Sequence, residues 1–585
     1  MTKITSKLPY KISKALCRAL SCAAVAAFAA AAGAVVPTPT VIGPLPSDTP
    51  GTPGHNYPFF STDIVLADFS YVEQEFFFDG TANRYDAPAP SGGIGNNPAS
   101  APTANVVASG FPYRSRLLVR RPIDASRFNG VVVIEWLNVT NGYDTDVHWL
   151  YQKEFFLREG YAWIGVSAQN AGLSNQPNGL KNWSPTRYST LNVNANATLT
   201  GDVLSYDIYS QAAQAIRKVP VVMGGLPVQM LIAIGQSQSA GRLGIYLNAI
   251  HVRDPIYDGA VLASGGQIIR TDLSIPIIKL LTETEYALTS TNEIPVLQPD
   301  TDKIRIWPVA GSSHSEQYSL LSRAAFLKRD LGLQAFDTCA TPARSRVPNR
   351  FVYNAAVDAI VKLNRTGREP PHAPPVQVLT VSPPSIARDQ FGNGLGGIRL
   401  AEMEVPVAHE GGETCFLGGT HVPFDTGTLN ALYRNHGDYV SKVSHAANAS
   451  VEAGFVLPED AQATIDKAAG SIIGFGLQCG YLCADSQQFP IHPSSSLLRD
   501  QTSFLAFVGN ETLVGMLEEV TRDIAKGYTF GSSTKGEERF AKAIAGLQTY
   551  IAQVQQVLLA GHLRPETAQL LTDEANTLIQ QILGL

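Results

Sequence analysis

Basic residues are in the minority in this chain. Lysine and arginine number 44 against 50 aspartate and glutamate, which gives a net charge of −6. Charged residues of both signs make up only 16% of the sequence, whereas hydrophobic residues make up 44%. The acidic balance argues against nucleic acid and anionic membranes as partners. The low charged fraction is typical of a globular protein with a substantial core and does not indicate disorder.

Long apolar runs are rare, and the one that stands out lies near the N-terminus at residues 19–32. Five basic residues precede it, and small residues at 32–34 follow it, which is the layout of a secretory signal peptide over residues 1–34. A membrane anchor is the alternative, but the run is short and rich in alanine. Removing five basic and no acidic residues changes the net charge from −6 to −11. We therefore expect a secreted or periplasmic mature chain without a stable membrane span.

Cysteine is scarce, with six in 585 residues, and two of these belong to the first 34 residues. The four that remain are an even number, which in an exported chain predicts two disulfides. Three pairings are possible, and proximity in the sequence favours Cys339 with Cys415 and Cys479 with Cys483. Metal binding is the alternative, but no histidine lies close to Cys479 or Cys483 in the sequence. We expect no metal site.

Composition divides the chain into five parts. Because residues 35–58 are rich in proline, glycine, serine and threonine, we expect a flexible leader there. An alternating core, a post-core region that packs on or caps it, and a helical C-terminal extension follow. The five parts are the signal peptide (residues 1–34), the leader (35–58), the core (59–370), the post-core region (371–485) and the C-terminal extension (486–585).

Strands and helices alternate within the core. Helical patterns cover residues 150–159, 205–219 and 241–250. Apolar runs of strand length lie at 113–120, 130–136, 161–167, 230–234, 257–263, 275–281 and 303–309. The alternation predicts the α/β class, with a mostly parallel sheet covered on both faces. Functional groups are expected just after the carboxyl ends of the strands.

The stretch GQSQSAGR at residues 235–242 directly follows a predicted strand and carries two candidate nucleophiles. Gly235 opens the turn, which puts Ser237 at its apex. Such a turn needs small residues two positions before and after the apex, and Ser239 is small enough for the second position. The Gln238 N–H would then lie at a helix N-terminus, as an oxyanion donor. The alternatives are Ser239 as the nucleophile, or two serines that only cap a helix.

A serine nucleophile needs an imidazole to accept its proton. His314 is the preferred candidate, because it follows the strand at 303–309 in a short turn. His251 lies too far along the helix that begins after Ser237. His421 and His436 lie in the post-core region, where a structural or surface role is expected.

Two carboxylates follow the strand at 275–281 and could orient the histidine. They are Glu283 and Glu285. Asp300 and Asp302, in the loop before the next strand, are further alternatives.

The order serine, glutamate, histidine, with one strand between the serine and the acid and with the acid and the base on successive strands, resembles the α/β-hydrolase superfamily. The likeness covers about residues 59–330 and is greatest to exported bacterial members with phrases such as EWLNV, SYDIYSQ, GQSQSAGRL and VAGSSH. It implies an α/β-hydrolase fold with insertions and a helical extension. In this architecture the acid lies nine residues beyond a proline that opens its strand, so Pro276 favours Glu285. The chain departs from the usual α/β-hydrolase pattern at two positions. Ser239 stands where glycine is commoner, and the acid is a glutamate instead of the commoner aspartate.

The resemblance implies a serine hydrolase, most often a carboxylic ester hydrolase, acting on a small-molecule or polymeric ester without a cofactor. Thioesterase, lactonase, amidase or peptidase activity, or a non-catalytic binding protein on the same fold, are the alternatives. The second oxyanion donor should come from the loop after the strand at 130–136, which lacks an HGGG signature. We expect a backbone N–H at Asn138 or Val139. Chain-length preference and oligomeric state are not indicated.

Overall fold

The computed structural model of the protein describes residues 36–87, 103–334, 339, 344–477, 494–505 and 507–584. The predicted signal peptide and the predicted Cys479–Cys483 pair lie outside the described residues.

Within this described part, nine strands form one sheet around which the chain is organised. Its order across the sheet is β1-β2-β3-β5-β4-β6-β7-β8-β9. The strands β4 to β9 run parallel, whereas β1, β2 and β3 join antiparallel at one edge. The α/β class and the mostly parallel sheet are therefore confirmed. The strands are β1 Thr40–Ile42, β2 Tyr71–Tyr85, β3 Val106–Pro122, β4 Val131–Trp136, β5 Ala162–Val166, β6 Met230–Gln236, β7 Gly259–Ala263, β8 Ile277–Thr282 and β9 Ile304–Val309.

The antiparallel pair β2–β3 is longer than its sequence pattern predicted. It pairs from Tyr71 opposite Pro122 to Tyr85 opposite Val106. Only four residues of β3, starting at Leu117, also pair with β5. Beyond them β2 and β3 pair mainly with each other, apart from β1 along part of β2 and Asn192 beside Arg114. Several of these outer residues are exposed, so the sequence shows no continuous apolar run there.

Alternate residues of the central strand β4 face opposite sides of the sheet, as the period of two requires. Val132 and Ile134 belong to one hydrophobic cluster, and Val131 and Val133 belong to another. All four side chains are fully buried. Both faces of the sheet are therefore covered, which explains the unbroken apolar run in β4.

Helices surround the sheet and make up most of the C-terminal part. Those of eight or more residues are α1 Val147–Glu159, α2 Ser205–Lys218, α3 Gln238–Ile245, α4 Ala324–Leu331, α5 Asn349–Thr366, α6 His436–Glu452, α7 Pro458–Gly470, α8 Ser495–Phe504, α9 Asn510–Phe530, α10 Thr534–Leu559 and α11 Pro565–Leu583. Shorter helices are Asn170–Ser174, Leu180–Trp183, Pro185–Tyr188, Pro220–Met223, Thr284–Ala287, Gln317–Leu321, Ala401–Glu404 and Thr426–Leu432. None of the described helices is long and apolar enough to cross a membrane.

The last three helices bury a hydrophobic cluster of their own. Leu513, Leu547 and Leu571 are each fully buried in it. The cluster is joined to the α/β part by ion pairs between α4 and α11, such as the Arg329 Nη1 to Glu566 Oε1 contact of 2.7 Å.

The post-core region contributes two small antiparallel strand pairs. One joins β10 Val378–Val381 to β11 Pro384–Ile386, and the other joins β12 Ala408–Gly411 to β13 Thr420–Pro423. Cys339 and Cys415 form a disulfide next to the second pair, as predicted.

Candidate active site

A very tight turn joins strand β6, next to the central strand β4, to helix α3. The strand ends at Gln236, the helix begins at Gln238, and Ser237 lies between them with φ 59° and ψ −122°. A positive φ is strained for a residue with a side chain, and such strain is found at functional positions. The Ser237 N–H donates to the Ala263 carbonyl at 2.8 Å, and the Gly241 N–H donates to the Ser237 carbonyl at 3.0 Å. These bonds fix Ser237 at the apex.

The two serines of the motif have different surroundings. Ser239 is 1% exposed, and its hydroxyl accepts from the Gln236 N–H at 3.0 Å and donates to the Gln236 carbonyl at 2.9 Å. Ser237 is partly exposed, and its hydroxyl makes no hydrogen bond to any residue that the structure describes. The Ser239 hydroxyl therefore closes the turn, while the Ser237 hydroxyl is available for chemistry.

Gly235 shows why the first position of the turn must be small. A Cβ there would lie 3.0 Å from the backbone carbon and oxygen of Ser239. Since these atoms belong to the first turn of α3, they cannot move aside without opening the turn.

His314 follows β9 and reaches the same edge of the sheet as Ser237. Its Nδ1–H donates to Glu285 Oε1 at 2.7 Å, and its backbone N–H donates to Thr284 Oγ1 at 3.1 Å. Its carbonyl accepts from Gln236 Nε2 at 3.3 Å, which links the histidine loop to the end of β6. The Nε2 atom makes no hydrogen bond within the described part of the chain, so it is the ring nitrogen left for a nucleophile.

Glu285 is held so that one carboxylate oxygen faces the histidine. It lies in the short helix Thr284–Ala287 directly after β8 and is 1% exposed. Its Oε2 accepts from both the N–H and the hydroxyl of Thr282, each at 2.7 Å. These two bonds leave Oε1 for His314 and fix the direction of the carboxylate.

Glu283, the alternative acid, makes no contact of this kind. Its carboxylate accepts from the Gly311 N–H at 2.6 Å, the Gly412 N–H at 3.1 Å and Arg388 Nη2 at 3.0 Å. Burial raises the pKa of Glu283, and the nearby Arg388 opposes that rise. The side chain ties three segments of the chain together and is directed away from the imidazole.

Residues from the post-core region support the histidine loop, which the sequence did not indicate. The Thr284 hydroxyl donates to the Gly412 carbonyl at 2.9 Å, and the Ser315 N–H donates to the Leu417 carbonyl at 2.8 Å. These contacts lie on both sides of His314 in the sequence. We call residues 410–418 the buttress segment.

The loop after β4 is arranged differently from our expectation for an oxyanion donor. The Asn138 N–H donates to the Thr145 carbonyl at 3.1 Å, so it is not available to a substrate. The Asn138 side chain instead ties the loop to the serine turn, donating from Nδ2 to the Gln236 carbonyl at 2.9 Å. The next N–H, that of Val139, makes no hydrogen bond within the described part of the chain. Val139 therefore replaces Asn138 as the candidate donor of this loop.

The Gln238 N–H opens helix α3 and is likewise free of partners among the described residues. The Gln238 side chain donates to Gln169 Oε1 at 2.9 Å, and that oxygen also accepts from Trp136 Nε1 at 3.0 Å. Gln169 in turn donates to Asp202 Oδ2 at 3.2 Å. This network covers the N-terminus of α3 and fixes the backbone of Gln238.

His251, His421 and His436, which the sequence offered as alternative bases, lie outside the site formed by Ser237, Glu285 and His314. His251 is 1% exposed, and burial lowers its pKa to about 4. His436 bonds to the carbonyls of Ile473 and Ala469. His421 forms a second histidine–carboxylate pair, since its Nδ1–H donates to Glu410 Oε1 at 2.6 Å.

A serine turn after strand β6, with a glutamate and a histidine after later strands, is the arrangement that the α/β-hydrolase fold provides. A family model described as "Alpha/beta hydrolase domain" matches residues 41–466, more than half of the chain. The chain belongs to the α/β-hydrolase family. The protein is therefore a hydrolase, and the match includes the buttress segment as well as the sheet.

Solved structures similar to this α/β hydrolase include three bacterial enzymes. The glucuronoyl esterase from Solibacter usitatus is 10% identical with a TM-score of 0.24, over 46% of this chain and 81% of that one. The poly(3-hydroxybutyrate) depolymerase LpqC from Bordetella parapertussis is 12% identical with a TM-score of 0.23, over 38% of this chain and 87% of that one. An α/β serine hydrolase without a lid from Xanthomonas campestris is 12% identical with a TM-score of 0.23, over 37% of this chain and 88% of that one. A comparison with curated protein sequences found no match.

Proposed function

We propose that this hydrolase cleaves carboxylic esters with Ser237 as nucleophile, His314 as general base and Glu285 as the acid that orients the base. The observation that carries the proposal is the 2.7 Å bond from His314 Nδ1 to Glu285 Oε1 at the sheet edge that also presents Ser237. A buried carboxylate on Nδ1 keeps the proton there and leaves the Nε2 lone pair to accept a proton.

In the first half of the reaction the Ser237 oxygen attacks the ester carbonyl carbon. His314 Nε2 takes the hydroxyl proton, and the imidazolium formed is stabilised by the Glu285 carboxylate. When the tetrahedral intermediate collapses, the same proton passes to the leaving alcohol. An acyl group remains on Ser237.

The negative oxygen of the tetrahedral intermediate needs donors that are in place beforehand. The Gln238 N–H at the start of α3 and the Val139 N–H after β4 are the two that we assign. Neither has a competing partner within the described part of the chain. Asn138 supports the second donor, because its side chain fastens this loop to the Gln236 carbonyl.

In the second half, water replaces the alcohol. His314 accepts a proton from the water, whose oxygen attacks the acyl carbon, and returns that proton to Ser237 as the acid departs. All proton transfers involve groups of this chain, the substrate and water.

A fluorophosphonate probe tests the nucleophile. We expect labelling of the purified protein, with the added mass on the peptide that contains Ser237, and no labelling of Ser237→Ala. The matched control Ser239→Ala removes two hydrogen bonds of the turn but should keep the label. Label lost in Ser239→Ala and retained in Ser237→Ala would overturn the assignment.

Matched substrates test the bond that is cleaved. p-Nitrophenyl butyrate and p-nitrobutyranilide share an acyl group and differ in the ester or amide linkage. We expect hydrolysis of the ester to be much faster. Faster cleavage of the anilide would favour the amidase alternative, and p-nitrophenyl esters of longer chains then measure the preferred acyl length.

We also propose that the chain acts outside the cytoplasm. The basic and apolar layout of residues 1–34 and the Cys339–Cys415 disulfide support this, because disulfides persist in oxidising compartments. N-terminal sequencing of the protein recovered outside the cytoplasm should start near residue 35. Recovery only in the cytoplasm with an intact N-terminus would contradict export.

A further inference from the structure

A pocket that is partly open to solvent lies between the post-core region and the C-terminal helices. It is a cavity of about 520 Å³ bounded by the short helix Ala401–Glu404, the strand pair β12–β13 and helices α6 to α9. None of the three proposed catalytic residues is among the described residues that line it. Its volume is within the range of cavities that bind small molecules.

Apolar side chains form much of its wall. They come from both the post-core region and the chain that leads to α8, and include Val405, Val407, Leu429, Val443, Ile472 and Ile473. Such a wall favours the apolar body of a ligand over bulk water.

The charged groups at one end of the cavity are paired with each other. Lys467 Nζ donates to Asp500 Oδ2 at 2.9 Å. Arg499 donates to Asp500 Oδ1 at 3.0 Å and to Glu518 Oε1 at 3.1 Å. Because Lys467 and Arg499 are already bonded to carboxylates, a ligand in the cavity need not supply an anionic group to pair with them.

His421 presents an unused acceptor to this space. The residue is 5% exposed and lines the cavity, and its Nδ1–H is engaged by Glu410 Oε1 at 2.6 Å. Burial lowers the pKa of His421, Arg346 adds to the effect and the Glu410 carboxylate opposes it, so that the net shift favours the neutral ring. A neutral imidazole that donates from Nδ1 carries a lone pair on Nε2. That atom has no partner among the described residues.

A second acceptor belongs to Glu402, which lies in the short helix Ala401–Glu404 and also lines the cavity. Its Oε2 is buried and makes no hydrogen bond within the described part of the chain. Buried polar atoms are normally satisfied, and one left without a partner costs free energy. Glu402 Oε2 and His421 Nε2 therefore offer two acceptors to a ligand that carries a hydrogen-bond donor.

We propose that this cavity is a binding site for a neutral small molecule with an apolar body and a hydroxyl group that donates to His421 Nε2. The apolar wall receives the body, Lys467 and Arg499 need no anionic group because they are already paired, and the hydroxyl bonds to His421 Nε2. The site is separate from Ser237 and does not depend on the proposed esterase activity.

Two probes of equal heavy-atom count test the proposal, 1-hexanol and 1-chlorohexane, which differ in the hydroxyl donor. Titration calorimetry on the full-length Ser237→Ala protein avoids turnover. We expect saturable 1:1 binding of 1-hexanol, about tenfold tighter than 1-chlorohexane, as one net hydrogen bond provides. Equal affinity for the two probes, or no saturable binding of either, would overturn the proposal.

Two variants locate the binding. His421→Leu should remove the preference for 1-hexanol, and Ala468→Leu, which fills the cavity from α7, should weaken both probes. If His421→Leu does not fold, the Ala468→Leu variant and the chemical shift of ¹⁵N-labelled His421 on titration of the parent protein still decide. Binding that is the same in both folded variants would place the probes elsewhere and refute the site.

Discussion

Two histidine–glutamate pairs are buried in the part of the chain that the structure describes, His314 with Glu285 and His421 with Glu410. Their Nδ1 to carboxylate distances are 2.7 Å and 2.6 Å. The first pair follows two parallel strands at the edge where Ser237 is held with a positive φ. The second pair lies face to face across the antiparallel strands β12 and β13, in the wall of a cavity.

The difference is one of surroundings, and it is why we assign a catalytic role to only one of the two pairs. Hydrogen bonding to a buried carboxylate fixes an imidazole in either setting. What distinguishes the first pair is a strained serine at the same edge and two N–H groups without partners among the described residues.

Replacing each of the two histidines separately should give the largest difference in kcat/KM. We expect His314→Ala to lower kcat/KM for p-nitrophenyl butyrate by roughly 10⁴-fold, because the serine loses its base. His421→Gln should lower it by less than about tenfold, since only the strand pair beside the buttress segment is loosened. Steady-state kinetics measures both. Similar losses in the two variants would remove the distinction between the pairs.

Changing the carboxylates is the next test. Glu285→Gln keeps the size of the side chain but no longer stabilises the imidazolium, so kcat should fall by roughly 10³-fold with little change in KM. Glu410→Gln should instead lower the free energy of unfolding by about 1–2 kcal/mol, as a weakened buried hydrogen bond does.

Kinetics and urea denaturation of both variants separate the effects. Glu283→Gln serves as a further control, because its bonds to Gly311, Gly412 and Arg388 are structural in this geometry. A loss of kcat in Glu283→Gln as large as that in Glu285→Gln would contradict our choice of acid.

His148 sharpens the comparison, because its imidazole is fully buried and bonds to no carboxylate among the described residues. Its Nδ1 faces Gln152 Oε1 at 3.0 Å, and burial lowers its pKa to about 4. The folded state therefore binds this proton less readily than the unfolded state. Its contribution to stability is complete above the unfolded pKa of about 6.5 and is lost as the pH falls towards 4.

We expect this histidine to account for about 3 kcal/mol of the free energy of unfolding lost between pH 6.5 and pH 4. Urea denaturation at several pH values measures the slope. His148→Phe should flatten it, and an unchanged slope in that variant would show that His148 does not titrate in this way.

Much of the candidate site could be predicted because parallel strands end at a common edge. Ser237, Glu285 and His314 each follow a strand, and β8 and β9 are direct neighbours. That neighbourhood brings the glutamate and the histidine together. Apolar runs and small residues around a serine are local patterns, which a single sequence displays well.

The choice between Glu283 and Glu285 depended on geometry that the local pattern does not show. The chain leaves β8 as the short helix Thr284–Ala287, and this turn directs Glu285 back towards His314 and Thr282. The engagement of the Asn138 N–H by the Thr145 carbonyl is also invisible in the sequence, because any residue can form a main-chain bond.

The buttress segment could not be predicted for a different reason. Gly412 lies 128 residues after Thr284 in the sequence and contacts it through its backbone carbonyl. Such a contact leaves no periodicity and requires no particular side chain. Only the tight fit, in which a Cβ on Gly412 would lie 2.2 Å from the Thr284 nitrogen, explains why glycine is present.

That same contact determines when the site can form during synthesis. The ribosome releases Ser237, Glu285 and His314 well before residues 410–418. Until the later segment emerges, the Thr284 hydroxyl and the Ser315 N–H lack the carbonyls to which they bond in the finished protein. The sheet can assemble on the growing chain, but the histidine loop reaches its final support only after about 70% of the protein has been made. A nascent chain would thus remain inactive for most of its translation.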